Sequence, residues 1–324
     1  MLGVRMKIVV LDDYQGAFDA LAFPAQLAEH QVQVFNDTVS GNALVQRLAT
    51  ADAVVLIQQR SRFPRELIAR LPRLRLISQT GYNLGHLDLA VCHERGIVVS
   101  AAGAGTPHAT SELAWGLILA SLRDIPVQAQ RLRDGQWMGP PMGTGLAGKT
   151  LGIYAFGKIG TLVADVGRAF QMDVMCWGRA GSMARAQDAG LCVAASREVF
   201  FATSDVVSLH LPLNSETRAM ITAADLGAMK PTALIVNTSR AELIAEGALA
   251  AAVAAGRPGL AAVDVFENEP VLGGQHALIG LPNVLCTPHL GYAEEGRYRA
   301  LLGVAVAQLQ GFAAGQPINV VTAS

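Results

Sequence analysis

The sequence predicts an α/β fold of two doubly wound, mostly parallel sheets. Three observations lead there. Short apolar runs alternate with helical patterns of about ten residues, the rhythm of βαβ units. That rhythm pauses at a small-residue connector, Ala101-Ala-Gly-Ala-Gly-Thr-Pro107, and then restarts. The restart, Thr150-Leu-Gly-Ile-Tyr-Ala-Phe-Gly-Lys-Ile-Gly160, reads as a strand, a turn and a helix. Such a turn can rest a pyrophosphate on the free N–H groups of a helix N-terminus.

In the first series, strands are expected over 7–11, 32–35, 53–57, 74–78 and 97–100. Helices are expected over 17–28, 42–49, 64–69 and 88–94, with Pro64 opening one and Gly96 stopping another. The connector reads as a hinge, and one long apolar helix over 109–132 follows it. A Gly/Pro/Met loop over 135–148 leads to the central strand. The second series has strands over 151–156, 173–177, 205–209, 233–237, 260–263 and 284–286, with helices over 158–170 and 243–255. A helix over 294–314 and a short tail, Pro317–Val321, close the chain.

At 324 residues the chain has the size of one large or two medium domains. It is 51% hydrophobic and 16% charged with a net charge of −1, which excludes disorder and suggests neither a nucleic-acid nor a membrane partner. No apolar run approaches the roughly 18–20 residues that span a bilayer. The N-terminus runs into a strand without a small-residue cleavage site, so no signal peptide is expected. Cys92, Cys176, Cys192 and Cys286 lack C-x-x-C spacing. Buried free thiols in a reducing cytoplasm are expected, not a metal site.

The chemistry gathers at strand ends. In the glycine turn, the three fingerprint positions read Ala155, Gly157 and Gly160. Gly157 lets the backbone approach phosphates, and Gly160 allows helix and strand to pack closely. The tip of the next strand reads Gly178-Arg179, with no carboxylate to bind ribose hydroxyls. Gly178 leaves room for a 2′-phosphate and Arg179 could hold it, which favours NADP over NAD. Alternatively, Arg179 is a solvated loop residue or stacks on adenine. Arg240, ending Asn237-Thr-Ser-Arg240, suits a substrate carboxylate or else an interdomain salt bridge. His289, between Pro288 and Gly291, sits at a turn, where a carboxylate such as Glu269 would favour its protonated form. Seen alone, such a histidine is more often structural.

The matching stretches are Leu146-Ala-Gly-Lys-Thr-Leu-Gly152, Phe156-Gly-Lys-Ile-Gly160, and Ser204-Asp-Val-Val-Ser-Leu-His-Leu-Pro-Leu213 with Glu216-Thr-Arg218. Asn237-Thr-Ser-Arg240, Asp264-Val-Phe-Glu-Asn-Glu-Pro270 and Thr287-Pro-His-Leu-Gly291 complete them. In this order they resemble the D-isomer-specific 2-hydroxyacid dehydrogenases over almost the whole chain. The resemblance implies two Rossmann-like domains, with an NAD(P)-binding domain, 103–291, inserted in a discontinuous catalytic domain, 1–102 and 292–324. It implies a homodimer built by the helix after the hinge. It places Thr110, Gly157, Lys158, Ile159, His210, Pro212, Thr217, Thr238 and Asp264 against the cofactor, with Gly178 and Arg179 at its ribose. The implied reaction interconverts a 2-oxo acid and a D-2-hydroxy acid, bound between the domains. Arg240 would hold the substrate carboxylate and polarise the keto oxygen. Backbone N–H groups around Thr80 and Gly81 would hold the carboxylate from the other domain. His289, oriented by Glu269, would donate the proton.

The chain departs from the family at three places. Ala155 replaces the first glycine, and Gly178 replaces the usual NAD-type aspartate. Gln79-Thr-Gly-Tyr-Asn-Leu-Gly-His-Leu-Asp88 carries Asn83 and Gly85 where G-x-G-x-D-x-I-D is frequent. Gln58-Gln-Arg-Ser-Arg62 resembles the phosphoglycerate dehydrogenase branch, where Arg60 and Arg62 would serve a substrate phosphate or else be solvated loop charges. Side-chain preference would fall to Tyr82, Leu84 and the Trp137–Met142 loop, so a phosphoglycerate dehydrogenase-like and a hydroxypyruvate or glyoxylate reductase-like activity both stand. Formate dehydrogenase fits less well, since its histidine pairs with glutamine. An NAD(P)-sensing scaffold of the corepressor type is the reading from another class.

Overall fold

Five parallel strands build the first sheet: β1 (Lys7–Leu11), β2 (Gln31–Val34), β3 (Ala53–Ile57), β4 (Leu76–Thr80) and β5 (Val98–Ala102). Their order is β2-β1-β3-β4-β5. Helices and loops cover both faces, so β3 is buried at every position and reads as a continuous apolar run. The helix Glu295–Ala313 packs on β4, where Ser78 Oγ lies 2.6 Å from Gln308 Oε1 in the core.

Seven parallel strands build the second sheet: β6 (Thr150–Tyr154), β7 (Asp173–Trp177), β8 (Cys192–Val193), β9 (Val206–Leu209), β10 (Leu234–Asn237), β11 (Leu260–Val263) and β12 (Val284–Cys286). Their order is β12-β11-β10-β9-β6-β7-β8. On one face, the helix His108–Leu122 packs Trp115 and Ile118 with Leu151, Ile153 and Val163. The Trp115 indole N–H is satisfied by the Val163 carbonyl at 3.2 Å. On the other face, Tyr154 and Phe201 both meet Phe200 edge-on.

This computed structural model describes residues 5–322. The first four residues, expected to lead into β1, and the last two lie outside them. The chain divides into two units, Met1–Thr106 with Glu294–Ser324, and Pro107–Ala293.

Three expected helices break where the backbone turns left-handed. The 17–28 pattern becomes Ala17–Ala20 and a 3-10 turn, Phe23–Leu27, because Ala22 takes φ 58° and Pro24 follows. The 109–132 pattern becomes His108–Leu122 and Ile125–Arg133, because Asp124 takes φ 51° and Pro126 opens the second helix. The 243–255 pattern keeps its helix only at Ala248–Ala254. Two further corrections matter for the site. β4 runs on to Thr80, so Gln79 and Thr80 belong to the strand and not to the loop. β5 includes Ala101 and Ala102, which shortens the connector. The helices Ala180–Asp188, Arg197–Thr203 and Ala223–Ala228 and the short β8 were not anticipated. They span nine residues or fewer, too short for a clear helical or alternating period.

Candidate active site

Because the second sheet is parallel, all its strands end at one edge, and the candidate residues of that unit lie in the loops there, except Lys158 and Ile159, which open the helix Lys158–Ala169, and Thr110 in the helix His108–Leu122. The order reverses between β6 and β9, the switch point where such sheets bind ligands. The glycine turn sits on one side of that point. Ala155 takes φ 74°, a conformation suited to glycine, and its N–H donates to the Trp177 carbonyl at 2.8 Å. Gly157 then caps the helix Lys158–Ala169 in extended conformation. A Cβ on Gly157 would meet nothing within 4 Å, so the space before the turn is open. A Cβ on Gly160 would lie 2.6 Å from the Ala155 carbonyl oxygen, so helix and strand can approach only over glycine. Lys158 is exposed and Ile159 half-buried.

At the tip of β7, a Cβ on Gly178 would lie 3.2 Å from Ser182 Oγ. Ser182 Oγ accepts the Phe156 N–H at 2.5 Å, and Arg185 donates to the Phe156 carbonyl at 3.1 and 3.0 Å. Neither role was read from the sequence, since serine and arginine in a surface helix carry no signal of their own. Arg179 is not a free solvated charge: its Nη2 lies 2.7 Å from Glu216 Oε2.

On the other side of the switch point, the His210 N–H donates to the Tyr154 carbonyl at 3.0 Å. Among the described residues, both His210 ring nitrogens and Thr238 Oγ1 are buried without a partner. Burial pushes the His210 pKa down to about 4, so the ring is neutral at neutral pH. Thr217, buried, donates its hydroxyl to the Pro212 carbonyl at 2.7 Å. Asn214 Oδ1 accepts the N–H groups of Glu216 and Thr217 at 2.9 and 3.0 Å. Thr217 thus shapes its loop from within.

Arg240 follows β10 in a loop that Asn237 organises. The Asn237 side chain donates to the Arg240 carbonyl at 2.8 Å and accepts the Ser239 N–H at 3.0 Å. Ser239 Oγ bonds the Leu209 carbonyl at 2.7 Å. Arg240 Nη1 donates to the Ser239 carbonyl at 2.6 Å. Among the described residues of its own unit, Arg240 forms no ion pair.

Asp264, after β11, is fully buried, and both its oxygens are occupied. Oδ1 accepts the Thr287 hydroxyl at 2.6 Å and the Leu290 N–H at 2.7 Å, while Oδ2 accepts the Gly291 N–H at 2.8 Å. Burial raises its pKa, although these hydrogen bonds oppose the shift. Asp264, expected to face the cofactor, grips the turn that carries His289. His289 takes φ 53°, and its Nδ1 lies 2.6 Å from Glu269 Oε2. Glu269 Oε1 accepts the Phe266 N–H at 2.8 Å, and the Tyr292 ring meets the imidazole edge-on at 5.6 Å. Thr110 Oγ1 ties the helix His108–Leu122 to the Gly291 carbonyl at 2.8 Å.

In the first unit, Thr80 is buried, and its hydroxyl accepts the Gln58 N–H at 3.0 Å and donates to the Leu56 carbonyl at 3.2 Å. The Gly81 N–H donates to the Ala102 carbonyl at 2.8 Å. That corrects the expectation that Gly81 offers its N–H to a carboxylate, because the donor already closes the strand end. Arg60 bonds the Asp12 carbonyl, lies 3.2 Å from Tyr298 Oη, and stacks 4.7 Å from the Tyr14 ring centroid. Arg62 is exposed. His86 Nε2 lies 3.1 Å from Gln79 Oε1, and burial with the Arg62 charge brings its pKa down to about 4.

A family model for the D-isomer specific 2-hydroxyacid dehydrogenase, NAD binding domain, matches residues 115–291. The chain belongs to this dehydrogenase family. A glyoxylate reductase of Aeropyrum pernix is 34% identical over 287 residues, 86% of this chain and 85% of its own. A D-3-phosphoglycerate dehydrogenase of Archaeoglobus fulgidus is 30% identical over 87% of this chain, which spans 53% of that protein. A solved structure described as a phosphoglycerate oxidoreductase of Vibrio cholerae is 45% identical, with a TM-score of 0.91 over 96% of this chain and 99% of that one.

The residues present fit the dinucleotide of the family. The orphaned polar atoms of His210 and Thr238 lie just beyond β9 and β10, on one side of the switch point that the open glycine turn adjoins, where ligand groups would satisfy them. Among the described residues, no cluster of three or more His, Cys, Asp or Glu could hold a metal ion. No helix among them is long and apolar enough to cross a membrane.

Proposed function

We propose that the chain interconverts a 2-oxo acid and a D-2-hydroxy acid with a nicotinamide cofactor. The observation that carries this reading is the 2.6 Å pair of His289 Nδ1 and Glu269 Oε2, at the same sheet edge as Arg240. When bound, the cofactor supplies or takes the hydride. Gly157, Lys158 and Ile159 would hold its pyrophosphate, with Thr110, His210, Pro212 and Thr238 along the crevice and Gly178 and Arg179 at the ribose. Thr217 and Asp264 act beneath these contacts by setting the loops.

Arg240 would pair with the substrate carboxylate and polarise the keto oxygen through its planar fork. Glu269 binds Nδ1 and so leaves His289 Nε2 to give a proton to the developing alkoxide, or to take it in oxidation. In the first unit, the donors proposed for the substrate carboxylate move from Gly81 to Tyr82 and Asn83. Their N–H groups make no hydrogen bond among the described residues. Arg62 is the basic residue proposed for an anionic substituent, since Arg60 is engaged within its unit.

The cofactor is NADP or NAD: the absence of a carboxylate on the tip of β7 itself favours NADP, and the Glu216 carboxylate paired with Arg179 opposes that preference. The homodimer expected from the resemblance finds support in exposed Ile125, Leu132, Trp137, Met138 and Met142. A cytoplasmic setting suits four free thiols, although only Cys92 and Cys176 are buried as expected, while Cys286 is half-buried and Cys192 exposed. The named relatives are reductases and dehydrogenases, so the sensing scaffold is not favoured.

The test is a reduction screen of NADPH and NADH against glyoxylate, hydroxypyruvate, 3-phosphohydroxypyruvate and a branched 2-oxo acid. Turnover of any pair supports the reading. Cofactor binding without turnover on all of them would return the scaffold.

A further inference from the structure

A salt bridge ties the two loops that flank the glycine turn. Arg179 follows the tip of β7, and Glu216 lies in the loop after β9. These strands are the two neighbours of β6 in the sheet. Their side chains meet at 2.7 Å, so the pair reaches across the end of β6. The tip of the strand after the glycine turn is the place where such sheets read the 2′ position of the adenosine ribose. The chain has Gly178 and Arg179 there and no carboxylate of its own. Glu216 brings one in from the opposite side.

The position of Glu216 is set by its loop. Asn214 Oδ1 accepts its N–H at 2.9 Å, and the neighbouring Thr217 hydroxyl is anchored to the Pro212 carbonyl at 2.7 Å. Arg185 is occupied by the Phe156 carbonyl. Arg179 is therefore the cation that a 2′-phosphate at this tip would meet, and Glu216 competes for it. With side chains 56% and 72% exposed, the pair is of the weak, solvent-screened kind that a dianionic phosphate can contest.

We propose that Glu216 is a cofactor-specificity residue. It competes with a 2′-phosphate for the Arg179 guanidinium, which weakens the binding of 2′-phosphorylated cofactors and leaves NAD-type binding untouched. This rests on the reading of the crevice as a nicotinamide dinucleotide site.

The test is calorimetric titration of the full chain with 2′,5′-ADP and with 5′-ADP, alongside NADH binding by fluorescence. In Glu216→Gln, 2′,5′-ADP should bind about five- to tenfold more tightly, while 5′-ADP and NADH stay within about twofold. In an Arg179→Ala background the same change should give less than about a twofold gain. An unchanged 2′,5′-ADP affinity, an equal change for both nucleotides, or a full gain without Arg179 would each overturn the proposal. Binding of 5′-ADP and NADH to the wild-type chain separates these failures from failure of the dinucleotide reading. If neither binds, that reading falls and takes the proposal with it.

Discussion

Asp264 and Gly291 are joined by a 2.8 Å hydrogen bond from the Gly291 N–H to a carboxylate that is fully buried. With the bonds to Leu290 and Thr287, it fixes the turn on which His289 stands. The carboxylate nearest the histidine in function is Glu269, but the one that holds its backbone is Asp264. Replacing Asp264 by alanine should leave three buried donors unpartnered. The expected cost is about 2–4 kcal/mol of stability, read as a lower urea midpoint. Turnover should fall as well, while Asp264→Asn should recover part of both.

His289→Ala should lower kcat by roughly 10²–10⁴-fold, the usual contribution of a positioned acid or base. NADH or NADPH affinity should stay within about twofold. Glu269→Gln should lower kcat less, because the amide oxygen can still accept from Nδ1. Steady-state kinetics beside a direct cofactor titration checks both, and wild-type kcat in His289→Ala would reject the assignment.

Arg240→Lys should raise KM for the 2-oxo acid and lower kcat together. A lysine supplies the charge without the planar fork that meets two oxygens. An effect on KM alone would point to uniform binding and not to polarisation of the keto oxygen.

Ala155 holds φ 74° where an L side chain is strained. Ala155→Gly should therefore stabilise the fold by roughly 0.5–1 kcal/mol, the left-handed penalty less the extra entropy of glycine. Gly160→Ala should do the opposite, since its Cβ would lie 2.6 Å from a backbone oxygen. A loss of about 1–3 kcal/mol and weaker cofactor binding are expected. Denaturant melts of the two variants check the signs.

His210, with its pKa near 4 in the folded chain, remains neutral where an unfolded histidine protonates. Below about pH 6.5 the unfolded chain takes up the proton first, so stability falls as pH drops towards 4 and levels off below it. The full contribution is on the order of 3 kcal/mol. His86 acts in the same direction. Asp205 and Asp225 are held low by Lys230 and Arg197 against the opposing effect of burial, so they weaken the fold only below their usual range. Asp264, raised by burial, opposes the histidines but is common to both proteins compared. His210→Asn should therefore lose less stability than wild type between pH 7 and pH 5 in urea melts. Equal losses would refute the role of His210.

Sequence alone determined the strands of both sheets apart from the two-residue β8, and the order of the chemical groups along their ends. Leu151 to Phe156, Leu260 to Val263 and Val284 to Cys286 are short apolar runs closed by polar or glycine residues, and such patterns are local. A parallel sheet then sends Gly157, Arg240, Asp264 and His289 to one edge whatever the packing details. Tertiary structure alone decided what each group is bonded to. It gave Asp264 to the backbone of Leu290 and Gly291, Arg179 to Glu216, Ser182 to Phe156, and the Gly81 N–H to Ala102. Each of these partners lies more than twenty residues away in the chain. Strand order brings them together, and one hydrogen bond formed removes a donor or acceptor from every other role that its residue type would allow.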